Sequence, residues 1–165
     1  VCSSDLFIDP LENFIRIGIG NNFIPSSVLY ACDYATKYQI GEIYDSKDTL
    51  RTEFLSFPNL YMISQENVND NYSTIFKLIE NPITPINIRN VFSLLKYFYS
   101  INIIVMNLNG EFISPYSNFS YKNIIYENLP ILILLEYRNP IRYEIIGTET
   151  SMIFEPKHHF YDELL

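Results

Sequence analysis

The chain has 165 residues, of which 48% are hydrophobic and 16% aromatic, so it can build one domain with a buried core. Its formal net charge of −8, with no run of Lys or Arg, excludes a surface that tracks the phosphates of a nucleic acid. The longest apolar runs, 101–106 and 129–135, fall far short of the roughly 20 residues that a membrane-spanning helix needs. We therefore expect neither nucleic acid nor a membrane as a partner.

Residues 1–6 read as the translation of GTG-TGC-TCT-TCC-GAT-CT, the end of a widely used sequencing adapter. We interpret them as an artefact and assign residues 7–165 to a single domain, a fragment of a longer protein. Once Cys2 is set aside, Cys32 is the remaining thiol. No intrachain disulfide can then form, which favours a reducing compartment.

A short strand is predicted over residues 14–19, because the segment is apolar apart from one arginine and stops at an Asn-rich turn, 20–22. A helix follows and places apolar residues at helical spacing as far as Tyr38. Ser26 or Ser27 is predicted to cap it, since a hydroxyl at a helix start accepts a hydrogen bond from a free backbone N–H.

Three further helices are predicted at 45–58, 71–80 and 85–99. The last is the clearest, because Thr84 can cap it and Pro85 is well tolerated at the first helical position. Its apolar residues recur on one face, so it is expected to cover a sheet.

Two strands are predicted from continuous apolar runs at 101–106 and 131–137, a pattern typical of strands buried on both faces. A turn at 138–140 leads into alternating residues at 141–146, which predicts an antiparallel hairpin. The fold class is therefore α+β, with a small mixed or antiparallel sheet packed against helices. Two short strands are predicted at 112–113 and 152–154, and a C-terminal helix is predicted at 156–165.

The element order from Val91 to Gly147 resembles the C-terminal half of the ovarian-tumour-type (OTU) cysteine protease fold, a papain-like fold. In that family a turn-to-helix junction carries the nucleophilic Cys, and the second arm of the hairpin carries a His-Tyr pair whose His is the general base. Asn22 stands at the position of that Cys and Arg142 at the position of that His. The chain also resembles an uncharacterised domain of large double-stranded DNA viruses, in which a strand like 16–18 leads into an Asn-rich turn.

Neither replacement supports cysteine protease chemistry, because an amide is not a nucleophile and a guanidinium stays protonated. The resemblance therefore implies a catalytically inactive binding or scaffolding module of a viral protein. It implies a host-cytoplasmic or virion location, no cofactor, and a ubiquitin-like or viral protein as partner. A structural component of the virion is an alternative.

The same resemblance places a binding groove beside the first helix. Arg142 is expected to direct its charge into this groove, near backbone amides that together suit a carboxylate. The predicted groove residues are Gly20, Asn21, Asn22, Phe23, Arg142 and Tyr143.

An active hydrolase is the other hypothesis, with Cys32 as nucleophile and His158 or His159 as base. Against it, Cys32 lies on the apolar stripe of the first helix, away from the N-terminal amides that would lower the thiol pKa. We therefore predict a buried, structural Cys32. The adjacent His158 and His159 have no third ligand placed by sequence, so no metal site is predicted.

Overall fold

The computed structural model describes residues 14–19, 25–44, 50–56, 72–114 and 128–155. In these residues the α+β class is confirmed. The helices are Ser27–Lys37 (α1), Leu50–Leu55 (α2), Tyr72–Glu80 (α3) and Ile88–Tyr99 (α4). The strands are Ile15–Ile17 (β1), Asn102–Met106 (β2), Phe112–Ile113 (β3), Ile131–Tyr137 (β4) and Arg142–Gly147 (β5).

The strands form one mixed sheet in the order β1-β5-β4-β2-β3. At its centre β2 and β4 run parallel, with Asn102 opposite Ile131, while every other pair in the described sheet is antiparallel. The prediction that the two continuous apolar runs are neighbouring central strands is confirmed. Parallel strands are typically covered on both faces, which accounts for the absence of alternation in these segments.

Both faces of the central strands are buried, and each belongs to a separate apolar cluster. One cluster joins the sheet to the helices, and its strand residues include Ile103, Val105, Leu132, Leu134 and Ile145. The other occupies the opposite face and contains Ile104, Met106, Ile131, Ile133, Leu135, Ile146 and Phe154. Side chains alternate between these clusters along each strand, as the pleat requires.

Helix α1 is the central helix, with nine of its eleven residues buried. Ala31 and Ala35 are small, which lets neighbouring elements approach the helix closely. A helix buried on all sides must find partners for every polar side chain it carries. Asp33, Ser26 and Ser27 are the polar groups buried in or beside it.

The start of α4 differs from the prediction. The helix begins at Ile88, with Asn87 as its cap, and the Asn87 side chain accepts a hydrogen bond of 3.0 Å from the Arg89 amide. Thr84 and Pro85 precede the helix because the next amide, that of Ile86, donates to the carbonyl of Pro25 at 2.9 Å. This long-range bond holds the chain outside the helix for three more residues.

The predicted capping role of the serines at α1 is also wrong. Ser26 occupies the N-cap position, but its side chain makes no capping hydrogen bond. Its hydroxyl instead accepts from the Arg51 side chain at 2.7 Å, and that of Ser27 accepts from the Tyr143 amide at 2.8 Å. Both hydroxyls connect α1 to distant elements rather than closing its own first turn.

Some predicted elements lie outside the described residues: the adapter segment 1–6, the turn 20–22, the first part of the helix at 45–58, and the helix at 156–165. The predicted strand fragment at 152–154 is a single antiparallel bridge between Phe154 and Ile131. Over the described segments, no helix combines the length and apolar character needed to cross a bilayer.

Val105→Asp tests the two-sided burial of the central strands. Val105 is 1% exposed and faces the helices. An unpaired carboxylate there should lower the free energy of unfolding by about 3 kcal/mol or more. Urea denaturation measures the loss, and Ile83→Asp, at a side chain that is 80% exposed, is the matched control and should change stability by less than about 0.5 kcal/mol. A Val105→Asp protein as stable as the control would contradict the fold.

Candidate functional site

Glu136, near the end of β4, is the most deeply buried charged side chain among the described residues. Its carboxylate receives two hydrogen bonds from the Arg89 guanidinium, Nη1 to Oε2 at 3.0 Å and Nη2 to Oε1 at 3.3 Å. The Tyr143 hydroxyl donates to Oε2 at 2.7 Å, and Arg138 Nη2 lies 3.2 Å from Oε1. A buried carboxylate is tolerated when it is paired and fully hydrogen-bonded, as here.

Three elements bring these groups together. Glu136 and Tyr143 are direct partners across the β4–β5 ladder, which places their side chains on the same face. The first turn of α4 supplies Arg89, and the Ile88 amide donates to the Tyr143 hydroxyl at 2.9 Å. The Asn87 cap also accepts from Arg89 Nη1 at 3.0 Å, which orients the guanidinium. The Glu136 oxygens are thus occupied by internal donors, and this cluster joins the sheet to α4.

Asp33 on α1 is a second buried carboxylate. It accepts from the Tyr44 hydroxyl at 2.7 Å and the Tyr99 hydroxyl at 3.0 Å, and Lys37 Nζ lies 2.8 Å away. Burial raises the pKa of both tyrosines above the ordinary tyrosine value, and their hydrogen bonds to Asp33 act in the same direction. Both hydroxyls therefore stay protonated and serve as donors to the carboxylate.

Arg51 on α2 connects the two segments that precede α1 and α4. Besides donating to Ser26, its guanidinium donates to backbone carbonyls just before α1, around the end of α3 and before α4. These belong to Pro25 at 3.3 Å, to Leu78, Ile79 and Thr84 at 3.1 Å each, and to Asn81. A cation at a helix C-terminus satisfies carbonyls that have no helical partner. The Arg51 cluster is therefore a structural connection.

Cys32 is buried, as predicted, with no exposed surface. Burial raises the pKa of its thiol strongly, and the neighbouring Asp33 charge adds to the effect. The thiol is therefore protonated at neutral pH, whereas a nucleophilic cysteine must be a thiolate. His158 and His159 lie outside the described residues, and within those residues no three His, Cys, Asp or Glu side chains are grouped as metal ligands.

Arg142 lies on a different face of the sheet from the one predicted. Its guanidinium carbon is 3.8 Å from the centre of the Tyr137 ring, and its Nη1 is 3.8 Å from Glu144 Oε1. Arg16 Nη1 donates to the Tyr137 hydroxyl at 3.1 Å, so two arginines meet at this tyrosine. The alternation along β5 puts Arg142 on the same face as Ile146, which belongs to the cluster opposite α1.

Tyr143 is a core residue, 1% exposed, with its amide bonded to Ser27 of α1. Because Tyr143 and Arg142 are consecutive in β5, they point to opposite faces and cannot line one groove. The remaining groove residues, Gly20 to Phe23, lie outside the described residues. Their part of the groove therefore stays a prediction, whereas Arg142 and Tyr143 do not line a groove beside α1 together.

Sequence reasoning missed the three charged clusters centred on Glu136, Asp33 and Arg51. For Glu136 a signal was present, because a single acid inside the run ILILLEY must be neutralised if that strand is buried. Its partners could not be found in the same way, since Arg89 lies 47 residues away.

Comparison with known proteins finds no family model and no curated protein that matches this chain.

Tyr143→Phe tests whether the Glu136 cluster joins α4 to the sheet. Removing the hydroxyl leaves the Ile88 amide and a buried carboxylate oxygen each without one partner, which should cost about 1–3 kcal/mol in the free energy of unfolding. Urea denaturation measures the cost. Tyr38→Phe is the control, because no described residue bonds its hydroxyl, and it should change stability by less than about 0.5 kcal/mol. Equal effects of the two substitutions would show that the Tyr143 hydroxyl is dispensable.

The buried tyrosines also predict a loss of stability at alkaline pH. Burial raises the pKa of Tyr99 and Tyr143, so above pH ~10 the unfolded chain loses phenolic protons that the folded chain keeps. The stability they contribute is therefore complete below pH ~10 and is lost as pH rises, by about 1.4 kcal/mol per pH unit for each tyrosine. Urea denaturation between pH 9 and 11 measures the slope, which should be shallower in Tyr99→Phe. An unchanged slope in that variant would contradict the assignment.

Proposed function

We propose that this chain is a non-catalytic binding module with an OTU-like variant of the α+β fold, and that its partner is a protein. The proposal includes a viral source and a location in the host cytoplasm or the virion. The composition, rich in Asn, Ile, Tyr and Phe, supports an AT-rich genome such as those of large DNA viruses.

The burial of Cys32 carries the proposal. The thiol lies within α1 with no exposed surface, so a substrate carbonyl cannot reach it. Its raised pKa keeps it protonated, and a protonated thiol is a poor nucleophile. The cysteine hydrolase hypothesis would require both the position and the protonation of this residue to change.

The order of elements supports the OTU-like part of the proposal. A helix, α4, precedes the buried strand β2, and a second buried strand, β4, pairs beside it and continues into a hairpin with β5. Arg142 stands at the start of the second arm of this hairpin, where the family has a His. An arginine there keeps its proton and can contribute charge or hydrogen bonds but no base.

A labelling and turnover experiment tests the proposal. In a Cys2→Ser background, Cys32 is the sole thiol. We expect a thiol reagent such as DTNB to react slowly with the folded protein and completely in guanidinium chloride, because reaction requires the core to open. We expect no cleavage of a panel of ubiquitin and isopeptide substrates, and no labelling by a ubiquitin-based probe directed at active-site thiols.

Two variants make this result interpretable. Ile83→Cys places a thiol at a side chain that is 80% exposed and should react rapidly in the folded state, which shows that the reagent is competent. Cys32→Ala provides the specificity control for cleavage. Cleavage by the parent that disappears in Cys32→Ala would overturn the proposal and identify an active hydrolase.

A further inference from the structure

A pocket of about 470 Å³ lies between the end of α1 and the segment that follows β5. The side formed by the end of α1 and the residues after it consists of Ala35, Tyr38, Gln39 and Ile40. The side formed by the segment after β5 consists of Glu149, Thr150 and Met152. We call this the Tyr38 pocket, and its volume lies within the range of small-ligand sites.

The wall formed by the end of α1 is held in place by aromatic packing and hydrogen bonds. The Tyr34 hydroxyl donates to the carbonyls of Glu42 at 2.8 Å and Gln39 at 3.3 Å, which pins the turn after the helix. The Tyr38 ring stacks on Tyr34 with centroids 5.3 Å apart and meets Tyr44 edge-on at 5.0 Å. This wall is therefore formed before any ligand arrives.

The opposite wall is a tight turn that is closed by its own hydrogen bonds. The Thr148 hydroxyl accepts from the amides of Thr150 at 3.3 Å and Ser151 at 3.1 Å, and the Thr148 amide donates to the Ser151 carbonyl at 2.8 Å. This arrangement fixes the backbone at Glu149, the exposed residue between the bonded ones. A preformed site loses little conformational entropy on binding.

The chemistry of the lining selects for one kind of side chain. Tyr38 contributes an aromatic ring and Ile40 an aliphatic side chain, whereas Ala35 and Met152 are almost fully buried. The exposed lining residues, Gln39, Glu149 and Thr150, are polar, and Glu149 is the acid among them. The lining contains no cation, and the nearest lysine in sequence, Lys37, is engaged by Asp33. A long aliphatic stem that ends in a positive charge matches both the walls and the rim.

We infer that the Tyr38 pocket binds a lysine or arginine side chain from a partner protein, with the stem against Tyr38 and Ile40 and the charge at Glu149. The inference rests on the proposed function, since it names the chemistry by which a binding module engages its partner. The net charge of −8 acts in the same direction, because it attracts a basic segment over a longer range.

Methyl-detected NMR with three small probes tests the inference on the whole chain. The probes are Nα-acetyl-lysine methylamide, its norleucine analogue with the same stem and no charge, and Nα-acetyl-glutamate methylamide. We expect the lysine probe to shift the methyl signals of Ala35, Ile40 and Met152 in a saturable way, and the norleucine probe to bind more weakly. The glutamate probe should leave these signals unchanged.

A matched pair of variants isolates the role of the rim carboxylate. Glu149→Gln should weaken lysine-probe binding about two- to fivefold, the effect expected of an exposed ion pair, and should leave norleucine binding unchanged. Glu155→Gln removes an exposed acid that does not line the pocket and should leave both affinities unchanged. The remaining methyl signals report whether each variant keeps its fold.

Several outcomes would overturn the inference. Equal affinity for the lysine and norleucine probes would identify a purely apolar site, and tighter binding of the glutamate probe would reverse the charge preference. The absence of shifts at the three methyls would show that the pocket does not bind these side chains. These outcomes are distinct from failure of the proposed function. Thiol-dependent cleavage would overturn the proposed function, and it would not alter the binding of the probes to the Tyr38 pocket.

Discussion

The hydrogen bonds of Tyr143 hold the sheet and two helices in a single arrangement. Its amide meets Ser27 of α1, while its hydroxyl accepts from Ile88 of α4 and donates to Glu136 of β4. Glu136 in turn requires the Arg89 guanidinium, since a buried carboxylate without donors would be strongly unfavourable. Apolar packing covers the sheet with α4, and the neutralisation of one acid in β4 ties the first turn of the helix to the sheet.

The clusters around Asp33, which is buried, and Arg51, which is half-buried, act in the same way at other junctions. Asp33 binds hydroxyls from the loop after α1 and from the end of α4, and Arg51 binds carbonyls at the end of α3 and before α4. Apolar contacts alone tolerate small displacements of one helix relative to another, whereas a buried ion with directional partners does not. We interpret the three clusters as determinants of a specific helix arrangement, which is the best-attested role of buried polar groups.

Periodicity in the sequence was sufficient for the elements but insufficient for their ends. The uninterrupted runs at 101–106 and 131–137 predicted strands buried on both faces, because the pattern depends only on local burial. The sequence predicts Thr84 as the cap of α4, whereas the cap is Asn87. The prediction fails because the hydrogen bond from Ile86 to Pro25, which keeps the chain out of the helix, joins residues 61 positions apart and leaves no local signal. Ser26 and Ser27 were predicted as caps for the same reason, while their true donors lie 25 and 116 residues away. In the candidate site, the apolar stripe of the first helix predicts the burial of Cys32. The face of the sheet on which Arg142 lies cannot be predicted without the register of β5.

The parallel pairing of β2 and β4 has a consequence for how the chain reaches this structure. β4 and β5 are separated by residues 138–141 alone, whereas residues 107–130 intervene between β2 and β4. Closing the longer connection costs more chain entropy, so the β4–β5 hairpin should form before β2 pairs with β4. During that interval one edge of β4 carries open backbone groups between two apolar faces, a surface on which a strand of another molecule can pair. In the folded chain β2 occupies this edge, so the docking of β2 removes the exposed backbone groups of β4.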